Sequence, residues 1–268
     1  MRSVLCVGLV GGKTDAKPVL YEGGISRTTL SSKHVKRKRK NERGKQFNLK
    51  KMNVKLVSLT KSLVEEKELS AEELIVYVAR VSNPSNQLNS ETADKLIAYM
   101  VKNKHWSPFE MCDMTVEIVT SRGIAQQILR HRSFSFQEFS QRYAEVTDFE
   151  AVQLRKSGTT NRQSSSDVFD PIIDGNIEAS RLIENHLKES EDLYKSLLKA
   201  GVAKECARFV LPLTTQTKIY MKGSVRSWIH YLQIRCDGHT QLEHQQIALS
   251  ILEIFKTNFP NISKALEL

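Results

Sequence analysis

The sequence predicts an α+β fold: a single domain in which a mixed sheet is flanked by helices. Three observations predict it. Short stretches of alternating apolar and polar residues are interspersed with longer stretches of helical period, but the two do not alternate as a doubly wound sheet requires. The chain has 268 residues, 40% of them hydrophobic, enough for one sizeable core. The charge is confined to one end. Residues 1–51 hold 14 Lys and Arg against 3 acids, whereas residues 52–268 hold 26 against 27, so the net charge of +10 belongs to a basic leader and not to the domain at 52–268.

The elements follow in order. Val54 to Leu59 alternates and reads as a short strand. Ser70-Ala-Glu-Glu73 is a capping box, opening a helix with Leu74, Ile75, Val78 and Val81 on one face and running towards Ser82. Asn83-Pro-Ser-Asn86 is a turn, and Asn89 or Ser90 starts a second helix with Ala93, Leu96, Ile97 and Met100 inward. Cys112, Met114, Val116 and Ile118 alternate with polar residues as a half-buried strand. Ser121 caps a short helix to about His131. Residues 155–171, rich in Ser, Thr, Gly and Asn, read as a mobile surface loop. Asn176 to Lys199 is a long amphipathic helix stopped by Gly201. Leu213 to Met221 is a further strand, Ser224 caps a helix to about Ile234, and Asp237 is the expected cap of the last helix.

Several classes are excluded or disfavoured. No apolar stretch approaches the roughly 18 residues of a membrane helix. Cys6, Cys112, Cys206 and Cys236 are far apart and form no Cys-x-x-Cys, so they read as reduced thiols of a cytoplasmic protein, and no metal site is expected. Lys36 to Lys40 is an uninterrupted basic run that reads as a disordered, solvated tail.

The densest polar cluster runs from Gln126 to Tyr143. It holds Arg130, His131, Arg132, Glu138 and Arg142, interleaved with Phe134, Phe136 and Phe139. So many charges cost solvation if buried without partners, and three Phe in their midst argue against a fully exposed loop. An arginine fork suits phosphate oxygens and flat carbonyl heterocycles, so the cluster points to an anionic, planar ligand such as a nucleotide.

Arg130-His-Arg132 followed by Ser140 resembles the signature of the flavin-dependent thymidylate synthases. The resemblance covers most of Met52–Phe255. It includes Ala79-Arg-Val-Ser82, His105-Trp-Ser-Pro-Phe-Glu110, Ala207-Arg-Phe-Val-Leu-Pro212 and Arg226-Ser…Arg235-Cys-Asp-Gly-His239, five blocks in the family's order. The leader has no counterpart in that pattern. The resemblance implies the family's fold and the reductive methylation of dUMP to dTMP. Methylenetetrahydrofolate would supply the carbon and NADPH the reducing equivalents, passed through bound FAD, in a homotetramer with sites at subunit interfaces.

Carried over residue by residue, Arg235 is the catalytic arginine at the uracil ring. Gln127, Arg130, Glu138, Ser140, Gln141, Arg142 and Arg208 join it as dUMP contacts. Ser82, Arg130, His131, Arg132, Glu138, Ser224, Arg226 and His230 correspond to positions near FAD, and His105 and Ser107 to the folate and nicotinamide side. The family more often has Asn where this chain has Gln137, Ser224 and His230. On a helix, Arg226, His230 and Gln233 project within about 60° of one another and Arg235 roughly opposite. Either the helix ends before Arg235 or its two faces serve different subunits' sites.

Other readings compete. A nucleophilic Ser140 with His131 as base lacks a Gly-x-Ser-x-Gly elbow. A cysteine-dependent thymidylate synthase needs a Pro-Cys-His setting that no cysteine here has. His239 and His244 are five apart, about 140° on a helix, which suits packing or capping better than a metal. Arg235 as a structural residue would pair with Asp237 or Glu243. A nucleic-acid-binding module using Lys36–Lys40 and the Arg130–Arg142 loop is the alternative of a different class; the near-neutral domain weighs against it.

Overall fold

Strand β1 (Asn53–Leu59) leads to helix α1 (Ala71–Ala79), and the capping box is present: Ser70 accepts from the Glu73 N–H at 3.2 Å and Glu73 accepts from the Ser70 N–H at 2.9 Å. A computed structural model describes residues 49–159, 165–173 and 175–268, all within one compact unit, Lys45–Leu268. The basic run at Lys36–Lys40 and nearly all of the leader lie outside the described residues. The described chain engages the domain two residues before Met52: the Lys50 N–H donates to Phe149 O at 2.9 Å, and Lys51 O accepts from Gln216 at 3.4 Å.

Helix α1 stops at Ala79, short of Ser82, because Arg80 turns inward. The Arg80 guanidinium donates to Asn86 O at 3.1 Å, to Thr92 Oγ1 at 2.8 Å and to Asn89 O, tying down the Pro84–Asn86 turn. Helix α2 (Ala93–Lys102) therefore begins at Ala93, later than Asn89 or Ser90. Strand β2 (Asp113–Ser121) runs into helix α3 (Arg122–Ile128). That helix ends before Arg130 and His131, which lie in a tightened turn with N–H groups bonded to Gln127 O and Ile128 O.

Strand β3 (Ser135–Glu138) was not marked by alternation long enough to read. The expected loop at 155–171 instead holds β4 (Arg155–Ser157) paired with β5 (Ser165–Val168), anchored by Arg155 on Glu243 at 2.7 Å. A half-buried arginine–carboxylate pair of this kind holds a polar ribbon that propensity alone would leave free. Strands β6 (Ile172–Ile173) and β7 (Ile177–Glu178) pair, which delays helix α4 (Ala179–Lys199) by three residues from Asn176. It buries Leu187 and Tyr194 and ends before Gly201, whose φ of +86° a residue with Cβ disfavours.

Helix α5 (Lys204–Ala207) precedes β8 (Gln216–Ser224), α6 (Val225–Arg235), α7 (Leu242–Asn258) and α8 (Pro260–Ala265). Asp237 does not cap α7: it accepts from the His239 N–H at 2.8 Å in a local turn, and Gln241 occupies the cap position.

The α+β class holds, but the four-stranded sheet, ordered β1-β2-β8-β3, is antiparallel at every pairing and not mixed. The physical reason is that β8 enters where β2 leaves, with Gln216 opposite Ser121 and Ser224 opposite Asp113. The inner sheet face, with Met114, Val116, Ile118, Ile219 and Met221 fully buried, packs with Trp228, Tyr231, Phe255 and Phe259. Buried Glu72 joins the first helix to the last, accepting from the Ile262 N–H at 2.8 Å and Asn261 Nδ2 at 2.9 Å.

Candidate active site

Helix α6 organises the site. Ser224 caps it, accepting from the Ser227 N–H at 3.3 Å, and it continues unbroken to Arg235 as its last residue. Val225, Trp228, Ile229, Tyr231 and Leu232 face the core, which leaves Arg226, His230 and Gln233 on one flank and Arg235 on the other. The helix does not end before Arg235, so its two faces serve two places.

On the first flank, Arg226, His230 and Gln233 line a cavity of about 430 Å³ together with Trp106, Glu110 and Ser133. The Pro-containing turn Ser107–Glu110 delivers Glu110 to the start of α6, where it pairs with Arg226 at 3.0 Å and accepts from Ser224 Oγ at 2.5 Å. Trp106 packs on Phe109 with ring centres 5.5 Å apart. His105 is exposed and meets the Tyr99 ring edge-on, and Ser107 is exposed at the start of the turn. A guanidinium, an imidazole, amide and hydroxyl donors and an indole suit a ring-bearing anionic cofactor.

On the second flank, Arg235 lines a cavity of about 550 Å³ with Gln127, Arg130, Asp237, Thr240 and Gln241. Arg235 pairs with neither Asp237 nor Glu243. Its Nε donates to His131 Nε2 at 2.9 Å, and Glu243 is taken by Arg155. His131 therefore acts as an acceptor. Burial, then the charges of Arg235 and His230, pushes its pKa down to about 4, so it stays neutral. It packs edge-on against Tyr231, with ring centres 4.9 Å apart. With Nε engaged, the remaining guanidinium N–H groups are available to a ligand. His131, expected near FAD, thus sits against the arginine assigned to uracil.

The remaining expected residues gather elsewhere. Around α5, exposed Arg142 pairs with Glu205 at 3.1 Å, Lys204 donates to Tyr143 O at 3.3 Å, and Arg208 lies 5.5 Å from the Phe209 ring centre. Ser140 is exposed beside them, and the Nε2 of buried Gln141 has no hydrogen-bond partner among the described residues. None of these lines the Arg235 cavity. Glu138 on β3 accepts from Thr217 Oγ1 at 3.0 Å and lies 3.4 Å from Arg122. Arg132 is exposed. Ser82, also exposed, lines a further cavity with Arg80, Thr92 and Lys95.

Trp106, Glu110, Gln233, Gln241 and His244 were not singled out as site residues. Trp106 and Glu110 stood within a recognisable block. Gln241, which accepts from Gln127 at 2.6 Å across 114 residues, had no local signal at all.

An antiparallel α+β domain with cation-lined cavities on opposite flanks of one helix defines a protein that takes anionic, ring-bearing ligands. The comparisons give the family. A family profile described as "Thymidylate synthase complementing protein" matches residues 62–261. A "Flavin-dependent thymidylate synthase" of Synechocystis is 48% identical over 223 residues, 81% of this chain and all of that protein. A "Probable flavin-dependent thymidylate synthase" of Paramecium bursaria Chlorella virus 1 is 51% identical, over 81% of this chain and 99% of its own. Among solved structures, a UMP/dUMP methylase, PolB of Streptomyces cacaoi, bound with 5-Br dUMP, superposes with a TM-score of 0.67 at 25% identity, covering 82% of this chain and 96% of that one. The chain belongs to the flavin-dependent thymidylate synthase family.

Proposed function

We propose that the protein converts dUMP to dTMP, taking the carbon from methylenetetrahydrofolate and reducing equivalents from NADPH, with FAD as resident cofactor. The observation that carries the reading is Arg235, held by a neutral His131 at a cavity it shares with Gln127 and Arg130. FAD, when bound, supplies the redox chemistry. The chain's own residues do the rest. The Arg235 fork faces the uracil carbonyls and N3, stabilising negative charge on the ring as C5 becomes nucleophilic. Cys112 does not substitute for this: it is buried with its pKa pushed up to about 12, first by burial and then by Asp113.

Arg226, His230, Gln233 and Trp106 would hold FAD, with Ser82, Arg132 and Ser224 as further contacts and Glu110 orienting Arg226. His105 and Ser107, on the turn beside that cavity, face folate and nicotinamide. Ser140, Gln141, Arg142 and Arg208 contact dUMP from the α5 side, and Glu138 stands with them. These residues fall at different places on one protomer, which supports a homotetramer whose sites are completed by neighbouring copies. The working domain is 52–268, and the protein is cytoplasmic; no helix among the described residues is long and apolar enough to cross a membrane.

The purified protein is incubated with dUMP, methylenetetrahydrofolate, FAD and NADPH. Formation of dTMP is expected, with UMP as the comparison substrate. A flavin-loaded protein that yields no methylated pyrimidine would overturn the reading.

A further inference from the structure

Behind the Arg235 cavity, hydrogen bonds run in one direction from an anion to a phenol. Glu243 Oε1 is held by Arg155 at 2.7 Å and Oε2 accepts from Gln241 Nε2 at 2.9 Å. Burial raises the Glu243 pKa, but these bonds outweigh it and the carboxyl lies below its ordinary value, so it only accepts. Gln241 must then turn Oε1 towards Gln127, whose Nε2 donates to it at 2.6 Å. That leaves Gln127 Oε1 facing His244 Nδ1 at 3.4 Å, and His244 Nε2 facing the Tyr231 hydroxyl at 3.1 Å. An amide oxygen cannot donate, so His244 must carry its proton on Nδ1, and Tyr231 donates to Nε2.

His244 is suited to that duty. It is fully buried in the first turn of α7. Burial, then the charges of Arg235 and His131, pushes its pKa down to about 3, so it keeps one tautomer and one acceptor nitrogen. An Asn or Gln amide is nearly symmetric in shape, and only its partners decide which end faces a ligand. Here Oε1 of Gln127 is taken up by the interior. Its second N–H is left for the cavity, beside Arg130 and Arg235. At that end of the wall Gln127, Arg130 and Arg235 then present donors together, the arrangement that suits carbonyl or anionic oxygens.

We propose that His244 is a positioning residue for nucleotide binding: it engages Gln127 Oε1 while Gln241 engages one Nε2 hydrogen, and together they hold the amide so that its second N–H, and not its carbonyl, faces the Arg235 cavity. The proposal rests on the reading that Gln127 contacts dUMP. If the amide were free to flip, its oxygen would meet an acceptor of the ligand in part of the population, and affinity would fall while the chemical step of the bound complex stayed intact.

Two replacements separate this from a packing role. An Asn amide nitrogen can occupy the Nδ1 position, whereas a Gln amide nitrogen reaches the Nε2 position. His244→Gln is expected to raise the dUMP KM roughly tenfold at nearly constant kcat, the scale of one lost hydrogen bond. His244→Asn should stay within about threefold of the parent. Gln127→Ala should match His244→Gln, and the double variant should be no worse than Gln127→Ala alone. If Gln127→Ala weakens dUMP binding while His244→Gln does not, the proposal is overturned and the reading of Gln127 survives. If Gln127→Ala changes nothing, the reading fails and the proposal falls with it. Equal losses in Asn and Gln variants, tracking a loss of thermal stability, make His244 a packing residue and overturn the proposal. Without any substitution, nitrogen NMR of the full chain carrying isotope-labelled histidine should show His244 protonated on Nδ1; protonation on Nε2 also overturns it.

Discussion

Acid should unfold this protein partly through His244. In the unfolded chain a histidine takes up a proton near pH 6.5, whereas burial first, then Arg235 and His131, push the folded value of His244 down to about 3. The folded pKa lies below the unfolded one, so in that interval the unfolded state binds the extra proton. The contribution is therefore intact above about pH 6.5, erodes as pH falls, and erodes no further below about pH 3. From the unfolded pKa down to about pH 5 is roughly 1.5 pH units, and at ~1.36 kcal/mol per unit the loss is about 2 kcal/mol. Half-buried His131, lowered to about 4, adds a loss of the same sign, trimmed by solvent. Buried Glu72 and Glu150, raised above the usual carboxylate value mainly by burial, work in the opposite sense at the acid end. The informative quantity is thus a difference between variants, in which those groups cancel. Denaturant unfolding of parent and His244→Asn, at fixed protomer concentration and at about pH 7.5 and about pH 5, should show the variant losing about 2 kcal/mol less on acidification. Equal acid losses would mean that His244 carries the proton in the folded state and that the buried neutral acceptor is wrong.

Arg235→Ala should still bind FAD but form dTMP on the order of 100-fold more slowly at saturating dUMP, the scale for losing one preorganised donor. Arg235→Lys should recover part of the rate, because a point charge lacks the fork; near-normal turnover by the Ala variant would remove Arg235 from the chemistry. Gly223→Ala should cost about 1–3 kcal/mol in denaturant unfolding. Its Cβ would meet the Phe134 ring at 2.5 Å, and that ring is wedged against Trp228 with centres 4.7 Å apart. Unchanged stability there would show that Phe134 has room to withdraw.

The helices and long strands were legible where one face is buried. The Ser70 capping box, the alternation of Met114, Val116 and Ile118, and the Ser224 cap all have their expected places. What misled was local chemistry whose partner is remote. Arg80 draws the chain inward and shortens α1, and Arg155 on Glu243 turns a polar, loop-like stretch into a paired ribbon. Strand β3 exists because the edge of β8 is there to receive it. The arginines that line the two cavities beside α6 were legible, since Arg130, Arg226 and Arg235 stand in dense motifs. Their partners were not. His131 under Arg235 and His244 behind Gln127 are joined across 104 and 117 residues, and no periodicity carries that information.

The two flanks of α6 constrain how such an enzyme can work. Hydride donor and pyrimidine must meet at contact distance for transfer to occur. Yet the helix is continuous, its middle is filled by Trp228 and Tyr231, and Arg226 and His230 open on one side while Arg235, Arg130 and Gln127 open on the other. The α5 cluster of Arg142 and Arg208 lines neither of these two cavities. A single protomer therefore offers the parts of a site without assembling them around one ligand. Either the chain would have to unwind α6, at the cost of burying Trp228 and Tyr231 elsewhere, or, in the homotetramer proposed above, a neighbouring copy would bring its first flank to this copy's second. The second route keeps every buried contact of the core. It also gives the exposed Arg132 and Ser140 something to face.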